Sequence, residues 1–175
     1  MRVLPAVRKW DWGIWQVAAQ LAAETHADWL HVQYQTAAYA MHPAINLAPE
    51  SWHKRGIHVA WTYHDVLLPY LFPKAGQRLR TWITQRPAFK ADQVVVTNEG
   101  DRNSLAAAGV NPTVIPIGSN IRRVQLTPDE RTARRHAFGY GDQEIVLGYF
   151  DFLNRSKGGL ALIHALHLLA QTRPD

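Results

Sequence analysis

The chain has 175 residues, 47% hydrophobic and only 19% charged, which is enough for one packed domain and short of two full ones. With no cysteine it carries no disulfide framework, iron–sulfur cluster or thiolate nucleophile, and with no run of roughly 18 apolar residues it carries no membrane-spanning helix. A net charge of +5 and an isoelectric point near 9.7 suit an anionic partner: nucleic acid, an acidic membrane face or a phosphorylated small molecule. The opening MRVLPAVRKWDW lacks the apolar core and cleavage site of a secretory signal, so a cytoplasmic protein is expected.

Short apolar runs alternate with amphipathic stretches, the pattern of βα units on a mainly parallel sheet. Strands are predicted at Arg2 to Val7, Trp29 to Tyr34, Ile57 to Tyr63, Gln93 to Thr97, Thr113 to Ile117 and Glu144 to Phe150. Ile14 to Thr25 is predicted as a helix, because Trp15, Ala18, Ala19 and Ala22 recur at i, i+3, i+4 and i+7. Asn98 is a capping residue for a helix from Glu99 to Ala108, with Asp101 at its N3 position and Gly109 ending it. Thr127-Pro128-Asp129-Glu130 combines a capping box with proline at N1, so another helix starts there and runs to about Ala137. Loop-forming residues between Gly118 and Thr127 place a domain boundary there, giving an expected division into 1–120 and 121–175.

Two places carry chemistry. Gly148 to Gly159 reads as a strand, a polar turn and the start of a helix with Leu162, Ile163, Leu166 and Leu169 on one face. The first free amides of such a helix, with Arg155 and Lys157 beside them, favour a phosphate; the alternative is an ordinary capped helix with solvated basic residues. Lys157 would act as a point charge and Arg155 would grip two oxygens. The second place is the polar pair His64-Asp65 directly after a strand, where a parallel sheet opens into its ligand crevice. A lone histidine also serves purely structural ends. His164 and His167 stand i, i+3 without an acidic partner motif, so no metal site is expected.

Five blocks occur in the order seen in family 4 glycosyltransferases: His31-Val-Gln-Tyr-Gln35, Thr62-Tyr-His-Asp65, Ala91-Asp-Gln-Val-Val-Val-Thr97, Val114-Ile-Pro-Ile-Gly118 and the Lys157-Gly158 turn. The chain thus resembles that family over nearly its whole length. The resemblance implies the glycosyltransferase B architecture, two Rossmann-like domains facing each other across a cleft, with acceptor bound mainly to the first and nucleotide-sugar donor to the second. It implies that His64, with Asp65 beside it, contacts the transferred sugar. It also implies that Lys157 neutralises the donor diphosphate; Arg155 and the amides of Gly158 and Gly159 are candidates, from their own chemistry, to share that charge. Transfer with retention of configuration, no cofactor and no metal ion are implied likewise.

The sequence departs from the family in three ways. Phe152 stands where the family has an arginine five residues before the lysine, no glycine-rich loop follows a first strand, and no paired acidic motif appears before Asp175. The first domain is therefore expected to be incomplete and the second only begun. A gap is then expected between the Arg2 to Val7 and Trp29 to Tyr34 strands, so the isolated chain is expected to fold poorly and to aggregate, bind a complementary polypeptide, or close the gap by pairing its strands differently.

Two further expectations concern charge. Dispersed arginines and lysines and the lack of a nucleic-acid motif weigh against a basic nucleic-acid-binding domain, the rival reading. From Val66 to Lys90 the chain has Lys74, Arg78, Arg80, Arg86 and Lys90, no acid, and apolar Leu67, Leu68, Leu71, Phe72 and Trp82. That mixture suits either contact with an anionic membrane, where a lipid-linked acceptor would reside, or a helix covering the sheet with a solvated basic face.

Overall fold

The computed structural model describes residues 3–68, 73–150 and 157–172. The chain forms two compact units, Met1–Asn120 and Ile121–Asp175.

The first unit is built on a four-stranded, all-parallel sheet in the order β1-β2-β3-β4: Trp29–Tyr34, His58–Tyr63, Gln93–Val96 and Thr113–Val114. Helices α1 (Ile14–Thr25), α2 (Ala44–His53), α3 (Gly76–Gln85) and α4 (Glu99–Ala107) accompany it, with 3-10 turns at Thr36–Tyr39, Pro73–Ala75 and Arg86–Phe89. This is the Rossmann-like α/β class expected of a glycosyltransferase B domain.

The strand order decides where the helices go. When parallel strands are laid down steadily in one direction through right-handed crossovers, every connection falls on the same face. Burial follows that rule. Val32, Tyr34, Val59, Trp61, Tyr63 and Val96 share one face and are buried with Ile14 of α1, Trp52 of α2 and Leu105 of α4. Side chains alternate across a strand, so Trp29, His31, Gln33, His58, Gln93 and Thr113 share the opposite face, and all six are exposed. The alternation in Trp-Leu-His-Val-Gln-Tyr is that of a half-buried strand, with one wet face.

The helix ends follow their sequence signals. Asn98 accepts from the Asp101 amide (2.8 Å) at the start of α4. Beyond the other end, Gly109 takes φ +90° and the Val110 amide reaches back to the Leu105 carbonyl (3.0 Å), a Schellman closure. Indole N–H groups tie the helices together: Trp15 donates to the Ala44 carbonyl (2.7 Å) and Trp52 to the Trp15 carbonyl (3.1 Å). Arg86 clamps Glu50 of α2 through two bonds (3.2 and 2.6 Å), and Lys90 adds a third contact (3.5 Å).

Two predicted strands do not form. Residues 3–7 have no strand structure, and Arg2 lies outside the described residues. Pro5 supplies no amide to a ladder, and Val3, Leu4 and Val7 stay exposed. One strand of the predicted gap is therefore absent, and among the described residues β1 has no strand on its outer side, so its outer edge is unpaired there. The edge is partly blunted: the Tyr39 hydroxyl donates to the Gln33 carbonyl (2.8 Å), and Trp10 packs edge-on against Tyr39. Residues 144–150 also form no strand, because no other strand is found among the described residues of the second unit to pair with them. Ile145 and Phe150 are 90% and 98% exposed. The last strand of the sheet shrinks from the predicted Thr113 to Ile117 to two residues, since Pro116 ends it.

The second unit contains α5 (Pro128–Ala137) and α6 (Gly159–Thr172). The capping box forms as the sequence requires: the Glu130 amide donates to Thr127 Oγ1 (3.3 Å) and the Thr127 amide to Glu130 Oε2 (2.8 Å). Leu162, Ile163, Leu166 and Leu169 of α6 are all exposed. Among the described residues no helix is long and apolar enough to cross a membrane.

Candidate functional site

His64 and Asp65 follow β2 at the carboxyl edge of the sheet. His64 is held at three points. Its amide donates to the Tyr34 carbonyl (2.8 Å), its carbonyl accepts from the Thr97 hydroxyl beyond β3 (3.4 Å), and its ring Nε2 lies 2.9 Å from Gln33 Oε1. An amide oxygen only accepts, so His64 Nε2 carries the proton and Nδ1 is the ring atom left for a ligand. The Gln33 amide nitrogen, 3.0 Å from His31 Nε2, makes that atom an acceptor, and the Thr62 hydroxyl stands 2.8 Å from the same atom. A polar chain His64–Gln33–His31–Thr62 thus runs across the face of the sheet opposite the core. Burial pushes the Tyr39 hydroxyl up to about 12, which keeps it protonated as donor to the Gln33 carbonyl.

Asp65 shapes the backbone next to it. Its Oδ1 accepts from the Leu67 amide (3.2 Å), closing the turn that leaves β2. That turn is tied back to β1 by the Thr36 hydroxyl, which donates to the Leu67 carbonyl (2.9 Å). Gln33, His31, Thr62 and Thr97 were not singled out as site residues from sequence. The signal available was the alternation in β1, which puts His31 and Gln33 on one wet face two residues apart.

The second set of residues belongs to the other unit. Lys157 is exposed, and its carbonyl accepts from the Tyr149 hydroxyl (3.3 Å). Gly158 takes φ +75°, a left-handed turn that suits glycine, and its carbonyl accepts from the Leu162 amide (3.0 Å). Gly159 opens α6 and is buried. Only the Lys157-Gly158 end of the turn into α6 lies among the described residues; residues 151–156, Arg155 among them, lie outside. Among the described residues no cluster of three or more His, Asp or Glu side chains is placed to hold a metal ion.

No curated protein and no solved structure is significantly similar to the chain. The family model described as Glycosyltransferase Family 4 matches residues 2–123, more than half of the 175. The matched stretch holds all four strands of the sheet and the His64–Gln33–His31–Thr62 chain at its open face. The chain therefore belongs to glycosyltransferase family 4.

Proposed function

We propose that the chain serves the transfer of a sugar from a nucleotide-diphosphate donor to an acceptor hydroxyl with retention of configuration, in glycan or glycolipid assembly. The observation that carries the reading is His64. It stands at the carboxyl edge of a family 4 sheet with its ring fixed by Gln33 and Nδ1 left as the polar atom for a sugar hydroxyl. Fixed orientation matters because a group that must not reorganise stabilises a transition state better than one that must.

In this reading Lys157, Arg155 and the amides at the start of α6 take the diphosphate, whose negative charge grows as the anomeric bond breaks. His64 orients the sugar and is not a nucleophile, and Asp65 holds the turn that presents it. The leaving nucleotide departs with the electron pair of the anomeric bond, and the acceptor hydroxyl, as it bonds to the anomeric carbon, passes its proton to the departing phosphate oxygen. No step calls for a metal ion.

The test is titration of the chain with UDP-, GDP- and ADP-sugars, followed by a transfer assay with those that bind. Binding of at least one donor, with transfer lost in His64→Ala and binding kept, supports the reading. Failure of every nucleotide sugar to bind, together with tight binding of DNA that falls steeply with salt, overturns it in favour of a polyanion-binding domain.

A further inference from the structure

In a βα fold the helix before a parallel strand runs opposite to it, so the start of α1 lies by the carboxyl end of β1. The chain enters α1 through Trp10-Asp11-Trp12. Trp10 packs edge-on against Tyr39 (ring centroids 4.5 Å apart), and the Tyr39 hydroxyl bonds the carbonyl of Gln33, whose side chain fixes His64. Trp12 meets Trp15 and His42 edge-on, with centroids 5.4 Å away in each case. The Trp15 indole is engaged by the Ala44 carbonyl, whereas Trp12 is 52% exposed. Among the described residues no other ring lies flat against Trp12, and its indole N–H has no hydrogen-bond partner.

The backbone on both sides is shaped to hold these rings. Asp11 Oδ1 accepts from the Gly13 amide (2.8 Å), which closes the turn that carries Trp12. A Cβ at Gly13 would stand only 3.0 Å from the same oxygen. Across from it, Ala40 and Met41 both take left-handed conformations, with φ of 51° and 55°. Non-glycine residues seldom do so, and such strain gathers where a fold has to aim a side chain at a ligand. The strained pair lies between Tyr39 and His42, the two rings that receive Trp10 and Trp12. His42 Nδ1 accepts from the Ala44 amide (3.2 Å), so the neutral ring carries its proton on Nε2, a donor without a partner among the described residues.

An exposed indole with unengaged N–H donors beside it complements a sugar ring. A pyranose has a face of C–H bonds, which lies flat on the negative face of an aromatic ring, and a rim of hydroxyls, which accept from N–H groups. Trp12 and His64 do not touch. His42, Tyr39 and Gln33 stand between them in succession: the His42 amide bonds the Tyr39 carbonyl (2.9 Å), and Tyr39 bonds Gln33. A ligand that reaches both ends therefore has more than one ring.

We propose that Trp12 and His42, backed by the Trp10–Tyr39 pair, form the acceptor subsite, and that the acceptor is an oligosaccharide with one ring stacked on Trp12. Its role as acceptor site rests on the sugar-transfer reading, but its binding of saccharide is measurable without any donor.

The test probes the full chain on an array of immobilised oligosaccharides and titrates the best ligand in solution. Binding of at least one oligosaccharide is expected. Trp12→Ala should weaken it about tenfold or more, Trp12→Phe, which keeps a ring, should weaken it less, and His42→Ala should cost about two- to tenfold, the value of one hydrogen bond. Where a nucleotide sugar binds, its affinity should be the same in Trp12→Ala, while KM for the oligosaccharide rises. An array without binding, or saccharide affinity unchanged in both Trp12→Ala and His42→Ala, overturns the proposal. Flotation with phosphatidylcholine vesicles that is lost in Trp12→Ala, on a chain that binds no saccharide, would assign the indole to a membrane surface instead. Saccharide binding that depends on Trp12 in a chain that binds no nucleotide sugar keeps the saccharide subsite and removes the transfer reading, so the two failures are distinct.

Discussion

Gln33 acts through His64: its side chain sets which ring nitrogen of the histidine is protonated and which is offered. Gln33→Met preserves shape and removes both polar contacts. We expect transfer to fall up to about tenfold, the value of one hydrogen bond, with kcat reduced more than KM and the melting temperature unchanged. A loss confined to stability would make the glutamine purely structural. Lys157→Ala should weaken nucleotide-sugar binding by about 1.5–3 kcal/mol, the value of a hydrogen bond to a charged group, without a comparable effect on folding. Calorimetric titration with the donor that the wild type binds checks this, and unchanged affinity would remove Lys157 from the diphosphate site. Asp92 sets the acid limit of the first unit. It accepts from the Val59 amide (2.7 Å) and contacts His53 (2.8 Å) and His58 (3.4 Å). The Val59 amide first, then the two histidines, hold its carboxyl down from 3.8 to about 2. A carboxyl with a depressed folded-state value stabilises the fold above its ordinary value and loses that contribution as pH falls through the depressed one. Between about pH 4 and pH 2, wild-type stability should therefore drop more steeply than that of Asp92→Asn. Parallel acid-denaturation curves would contradict this.

Among the elements, α5 has the clearest local code and the least tertiary support. Its capping box is formed, while none of its residues is buried. Thr127→Ala should then cost about 1 kcal/mol of helix stability, and circular dichroism of the two chains should show a loss of helix confined to that segment. The contrasting case is α2, which the sequence did not announce. Pro43 and Pro49 flank and interrupt it, and an interior proline removes a helical hydrogen bond. It forms because Ala44, Ile45, Ala48, Pro49 and Trp52 are all buried, so tertiary packing outweighs poor local propensity. The edge strand β1 belongs at this scale too. Its alternation set the register and the wet face, both readable from six residues, whereas its partner was identified only by pairing Trp29 with His58 through Tyr34 with Tyr63.

Across the whole molecule the two units differ in how much they bury. The first has a continuous aromatic and aliphatic core that includes Tyr34, Trp52, Trp61 and Tyr63. Among the described residues of the second, only Gly159 is buried, and α6 exposes a stripe of leucine and isoleucine. Amide hydrogen exchange should follow that contrast: strong protection in β1, β2 and β3, and rapid exchange throughout α5 and α6. Slow exchange in α6 would contradict this and mean that a further polypeptide surface, such as a second chain, covers its apolar face. Ile163→Lys would then restore fast exchange and lower the sedimentation coefficient.

Local signals determined much of this chain. The period of apolar residues fixed α1 from Ile14 to Thr25, the side-chain caps fixed the starts of α4 and α5, and the family suggested by five short blocks is matched over residues 2–123, which hold four of them. Each depends on neighbours a few residues apart, which a sequence displays directly. What the tertiary structure alone decided depends on distant pairings. Residues 3–7 and 144–150 have strand-like composition but no ladder partner, so they stay irregular, while α2 is helical against its own prolines because it is buried. The site follows the same rule. His64 was visible at the end of its strand, but Gln33, 31 residues earlier, reaches it only because β1 and β2 lie side by side in parallel register, and a contact made by sheet pairing leaves no mark on either segment alone.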